Sequence, residues 1–162
     1  MDNHQQDLFT TTVLKNWELT LKRISAVFDR NSDEELLQPI APGKNRAVYL
    51  LGHLVAIHDG MLPLLGFGDR QHPHLDALFV TNPDNTRTPL PAMQELRNSW
   101  TSINALLTER LSQLRPEEWL EKHTAVSSED FAREPHRNRL NIVLSRTGHV
   151  SYHYGQLALL KK

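Results

Sequence analysis

Cysteine is absent from the 162 residues, which excludes disulfides, thiolate metal ligands and a cysteine nucleophile, and is compatible with a reducing compartment. A surplus of charge is missing too, because 18 basic side chains against 19 acidic ones leave a formal net charge of −1. Lys and Arg are scattered, so the chain has no electrostatic footprint for nucleic acid or an anionic membrane surface. The longest apolar run, Ala47 to Ile57, is interrupted by His53 and falls short of the ~20 residues a spanning helix needs. The start, Met1 to Asp7, is polar and lacks the apolar stretch of a signal peptide; the expected location is the cytoplasm. Sustained alternation of apolar and polar residues is also missing, which argues against strands. With 39% hydrophobic and 23% charged residues, the expectation is one soluble domain, 1–162, large enough to bury a real core.

What is there is helical periodicity. Leu14, Trp17, Leu21, Ile24 and Phe28 recur at intervals of three and four, predicting an amphipathic helix from about Asp7 to Asp29. Ser32 with Glu35 three residues on makes a capping box for a short turn that ends before Pro39. A second helix, from about Asn45 to Leu65, is apolar nearly all round, the pattern of a centrally buried helix, with a kink or end expected near Pro63. Periodicity then vanishes from Gly66 to Thr88, a long loop of the kind that often covers a site. Met93, Leu96, Trp100, Ile103, Leu107 and Leu111 predict a third helix, from about Pro91 to Leu114. Pro116 opens a short helical start, and a polar stretch, Glu121 to Arg137, leads into a last helix from about Leu140 to Leu160. Four helices without strands make an all-α antiparallel four-helix bundle with two long irregular connections the economical architecture. In an up-down-up-down order, the second and fourth helices would run parallel on a diagonal of the core.

The last helix carries His149 and His153, four residues apart, so about one turn, roughly 5.4 Å, stacks one imidazole above the other. With nine histidines in the chain such a pair arises readily by chance, and its setting decides. Ile142, Val143, Arg146, His149, Val150, His153, Leu157 and Leu160 share one arc of the helix, placing both imidazoles among aliphatic residues. His53 shares a stripe with Leu50, Ile57 and Leu64, whereas His58 lies on another face. The ordinary alternative is that each buried imidazole merely satisfies a carbonyl. Three inward imidazoles on facing helices instead predict one divalent ion, Zn²⁺ or Ni²⁺, held by His53, His149 and His153 with a position left for water or substrate. His58, His72, His74, His123 and His136 lie on other faces or in irregular segments and are not expected to be ligands.

Leu-Gly-His53-Leu, followed late in the chain by His149-x-x-x-His153-x-Gly-Gln156, resembles the DinB-like (YfiT-like) superfamily of metal-binding four-helix bundles. The resemblance covers nearly the whole chain, including the Ser32-Asp-Glu-Glu-Leu turn and the Pro42-Gly-Lys-Asn loop. It implies thiol chemistry as one option, since such proteins include S-transferases using bacillithiol or mycothiol and a thiol-dependent isomerase, beside many of unassigned activity. The favoured expectation is metal-dependent transfer of a low-molecular-weight thiol, as co-substrate, to a small electrophile. A metal-dependent hydrolase is the nearest rival. A non-catalytic stress-related binding module with a structural or vestigial metal stays open, because no general base stands out.

Arg146, one turn before His149, can hold a substrate carboxylate or form a surface salt bridge. Gln156 can orient a ligand or cap the helix end. A second stripe of the last helix, Leu144, Thr147, Gly148, Ser151, Gly155 and Ala158, lets another helix approach closely and suggests a homodimer.

Overall fold

The 3.6-residue periodicity becomes helix α1, Asn3–Arg30, whose inward stripe Val13, Trp17, Leu21, Ile24, Val27 and Phe28 is buried. This is a computed structural model, and it describes residues 3–160; the outermost residues of the expected domain span lie outside the described residues. Ser32 caps α2 (Asp33–Leu36) through the expected reciprocal box, Glu35 N–H to Ser32 Oγ at 3.2 Å and Ser32 N–H to Glu35 Oε2 at 2.8 Å.

The second long element is two helices, α3 (Ala47–Asp59) and α4 (Met61–Leu65), broken at Gly60. Pro63 explains the break, since it has no N–H to give the carbonyl of Asp59 four residues earlier. Gly66, left-handed at φ 76°, ends α4, a conformation that glycine adopts without steric cost. Then follow a 3₁₀ turn (Pro73–Leu75), α5 (Asp76–Phe79), α6 (Met93–Ser112), α7 (Pro116–Trp119), α8 (Ser128–Arg133) and α9 (Arg139–Leu157). Taken together, Ala47–Leu65 is apolar and long enough to cross a membrane, which the run Ala47–Ile57 alone is not; most of it is buried inside the bundle.

The architecture is the expected all-α bundle, but its order is not up-down-up-down. Trp17 Nε1 donates to Thr108 Oγ1 (3.1 Å) and Trp100 Nε1 to Ser25 Oγ (2.8 Å), so α1 and α6 run antiparallel. Thr10, near the start of α1, shares a surface cleft with Leu140 at the start of α9, which makes these two parallel. His53 faces His149 while Arg139 Nε reaches the carbonyl of Leu65 at 3.1 Å, so α3 and α9 run antiparallel. Both α1 and α3 pack against α6 and α9. The order is therefore up-down-down-up, and α3 and α9 are antiparallel neighbours, where the sequence suggested a parallel diagonal pair.

That order explains the long connection after α4. Helices α3 and α6 run parallel, so residues 66–92 must return the length of the bundle, and they do so as a strap along α3. Arg70 donates to Asp59 (3.0 Å), Phe79 packs on Gly52, the Tyr49 hydroxyl donates to Asn82 O (2.7 Å) and Arg46 pairs with Asp84 (2.7 Å). Leu75 and Phe79 are buried, so this segment is packed structure rather than a loose lid. It also accounts for a helix apolar all round: α6, α9 and the strap cover α3 from different sides.

Candidate metal centre

His53 Nε2 lies 3.3 Å from His149 Nε2, which lies 3.0 Å from His153 Nε2. The three ligand atoms all fall within 4.8 Å of one another. Bonds of about 2.0–2.1 Å at tetrahedral angles would set imidazole nitrogens about 3.3–3.4 Å apart, so the cluster has the dimensions of a zinc-type site.

Hydrogen bonding fixes which nitrogens are free. His53 Nδ1 donates to the carbonyl of Phe79 (2.8 Å), and His153 Nδ1 to Gln156 Oε1 (2.7 Å). Both Nε2 atoms are therefore lone pairs, and a single N–H on His149 can satisfy only one of them. One cation satisfies all three, with the outer N–H partners that ligating histidines usually have. The group can thus hold a divalent metal ion.

Electrostatics agrees with neutral ligands, the form a metal needs. Burial, helped by the charges of His153, His53 and Arg146, lowers His149 to about 4. Burial also lowers His153, against its own hydrogen bond to Gln156. His153 is buried and His53 and His149 are partly exposed, so solvent reaches one side of the cluster.

The two residues added from the sequence sit as follows. Gln156 orients His153 through Oε1, and its amide nitrogen donates to the Tyr152 hydroxyl at 3.1 Å. Arg146 is half-buried, with its Nε enclosed and without a hydrogen-bond partner. The surface salt bridge weighed for it is not formed among the described residues.

The other histidines stand apart from the cluster. His58 is fully buried between Trp17 and Trp100, with ring centroids 5.1 Å from each, and its Nδ1 donates to Asn104 Oδ1 at 2.6 Å. Burial is the main cause lowering it to about 3. His72 and His74 face one another in the strap, His123 is buried in the connection before α9, and His136 is exposed.

Phe79 escaped the sequence reading, since a backbone carbonyl in an irregular segment leaves no mark on side-chain pattern. One clue existed. Gly52, inside a buried helix and next to His53, signals close approach by another group, and a Cβ there would lie 2.5 Å from the Phe79 ring.

Fold and site together define a helical bundle that gathers three imidazoles from two neighbouring helices. The family profile described as the DinB superfamily matches residues 16–157, and the chain belongs to that superfamily. No curated protein shows significant similarity to the chain.

Proposed function

We propose that His53, His149 and His153 hold one divalent ion, zinc or nickel, and that the protein transfers a small thiol to an electrophile. The observation that carries the metal reading is the convergence of three Nε2 atoms, two of them made lone pairs by the Phe79 and Gln156 acceptors. When bound, such an ion acts as a Lewis acid that lowers the pKa of a thiol or water at its open position.

The chain's own residues do the rest. The Phe79 carbonyl and Gln156 fix two imidazole planes, and the aliphatic residues Val143, Val150 and Leu157 keep water from the inner side. Among the described residues no carboxylate lies within the cluster, so a thiol proton would leave to solvent while its sulfur bonds the electrophilic carbon and the leaving group departs. The thiol preference is supported by membership of the superfamily; the geometry supports the metal and an accessible position.

Elemental analysis of the purified protein tests the metal, with about one ion per chain expected. Screening the loaded protein with low-molecular-weight thiols and electrophiles, beside ester and amide substrates, tests the reaction. Conjugate formation supports transfer, ester turnover without thiol supports hydrolysis, and silence in both supports a binding module.

A homodimer is part of the same proposal. Gly148 and Gly155 on α9 have open space where a Cβ would sit, and Leu144, Tyr152 and Leu159 nearby are exposed. Sedimentation equilibrium that returns only the 18.6 kDa monomer would refute it.

A further inference from the structure

Every other partly buried arginine in the described residues has a carboxylate. Arg46 pairs with Asp84, Arg70 with Asp59 and Asp76, Arg97 with Asp33, Arg137 with Glu134 and Arg139 with Glu121. Arg146 has none; burial lowers its pKa with no carboxylate charge to offset it. A guanidinium half withdrawn from water, with its Nε enclosed and unpaired and no counter-charge, carries a desolvation cost that a bound anion would offset.

Among the described residues its surroundings offer unpaired ring nitrogens and no anion. His149, one turn on, has an enclosed Nδ1 without a partner, and once its Nε2 is committed to a metal ion this Nδ1 carries the proton. His58 lies within reach of the Arg146 and His149 charges, and its enclosed, unpaired Nε2 is an acceptor, because His58 Nδ1 donates to Asn104 Oδ1 while the Asn104 amide nitrogen donates to Trp100 O at 2.8 Å. A water molecule can satisfy hydrogen bonds among such groups. It cannot neutralise the guanidinium, whereas a carboxylate does both and matches the planar fork.

We infer that the small molecule taken at this centre carries a carboxylate and that Arg146 is its anchor. The location rests on the metal-centre reading; the charge argument does not. Substrate choice then falls to a residue outside the ligand set. A neutral analogue would reach the same position and leave Arg146 uncompensated.

The test compares matched acids and amides. Protein loaded with Co²⁺ is titrated with 3-mercaptopropionate and 3-mercaptopropanamide, and with the pair one carbon longer, following the cobalt absorption. The acid of at least one pair should bind about ten- to a hundredfold more tightly, the range of a charge-assisted hydrogen bond. Arg146→Gln should abolish that preference with amide affinity unchanged, and Arg146→Lys should retain part of it. A second arm uses metal-free protein with butyrate against butyramide at matched ionic strength, where only butyrate should raise the melting temperature, and only with Arg146 present.

Unliganded Arg146→Gln should melt no lower than wild type, since it removes an uncompensated charge; a marked loss would make Arg146 structural and overturn the inference. So would equal affinity for acid and amide, or a preference that survives in Arg146→Gln. If cobalt fails to bind while the butyrate effect persists, the metal reading falls and the carboxylate anchor stands. If cobalt binds and neither arm shows an acid preference, the anchor falls and the metal stands.

Discussion

Phe79 lies against Gly52 so closely that a Cβ on residue 52 would stand 2.5 Å from its ring, while the carbonyl of the same phenylalanine accepts from His53 at 2.8 Å. One contact between strap and helix therefore positions both an aromatic core residue and a candidate metal ligand. Gly52→Ala should overpack the core, costing about 1–3 kcal/mol, and should weaken metal binding by moving the carbonyl. Urea unfolding and competitive metal titration check both effects. Gly148→Ala is the contrast: among the described residues of one chain nothing stands within 4 Å of its added Cβ, and a gain of about 0.5–1 kcal/mol is expected for the monomer.

Metal content should depend on the three converging imidazoles and on no other histidine. His53→Ala, His149→Ala or His153→Ala should empty the site, whereas His72→Ala and His136→Ala should leave bound metal near the wild-type level. The fold should survive, because buried side chains such as Trp17, Phe28 and Trp119 each contribute roughly 1.5–3 kcal/mol before entropy. Loss of far-UV helical signal on chelation would contradict this.

Gln156 should matter through His153. Replacing it with Leu removes the acceptor that holds the imidazole in its Nδ1–H form, and outer partners of this kind typically contribute about 10–100-fold in metal affinity. Circular dichroism should be unchanged, so the loss would be one of positioning.

His58 makes stability pH-dependent. In the folded chain burial lowers it to about 3, while in the unfolded chain it titrates near the ordinary imidazole value of 6.5. Between these values the unfolded state binds more protons, so stability falls on acidification, by at most about 1.4 kcal/mol per pH unit. Above the upper value neither state is protonated and the effect vanishes. His149, lowered to about 4, acts in the same direction, so urea unfolding of metal-free wild type should be compared with His58→Gln between pH 7 and pH 4. A shallower pH dependence in the variant is expected.

Asp59 is fully buried and accepts from Arg70 Nε (3.0 Å) and from the backbone N–H groups of Gln71 (2.7 Å) and His72 (3.0 Å). Asp59→Ala leaves Arg70 Nε and two backbone amides without their acceptor while Asp76 still holds the guanidinium, a loss of about 1–3 kcal/mol. Limited proteolysis should then cut first within the strap, 66–92. Lys15→Ala, which breaks an exposed pair with Glu18, should change stability by less than about 1 kcal/mol.

The sequence by itself determined the long helices, the Ser32 capping box and the inward placement of His53, His149 and His153. Each follows from side chains three or four residues apart, and that periodicity is a property of one local element. The up-down-down-up order is different in kind. It depends on which apolar faces find each other, and several buried helices can exchange neighbours without any change in their own pattern. The strap was unreadable for the same reason, since its hold on α3 runs through Asp59, Gly52, Tyr49 and Arg46, with partners 11 to 38 residues away and partly on backbone atoms. Arg146 shows the limit most plainly: its position on the helix face was legible, but whether a carboxylate waited opposite depended on every element packed around it, and only the tertiary structure leaves it without one among the described residues.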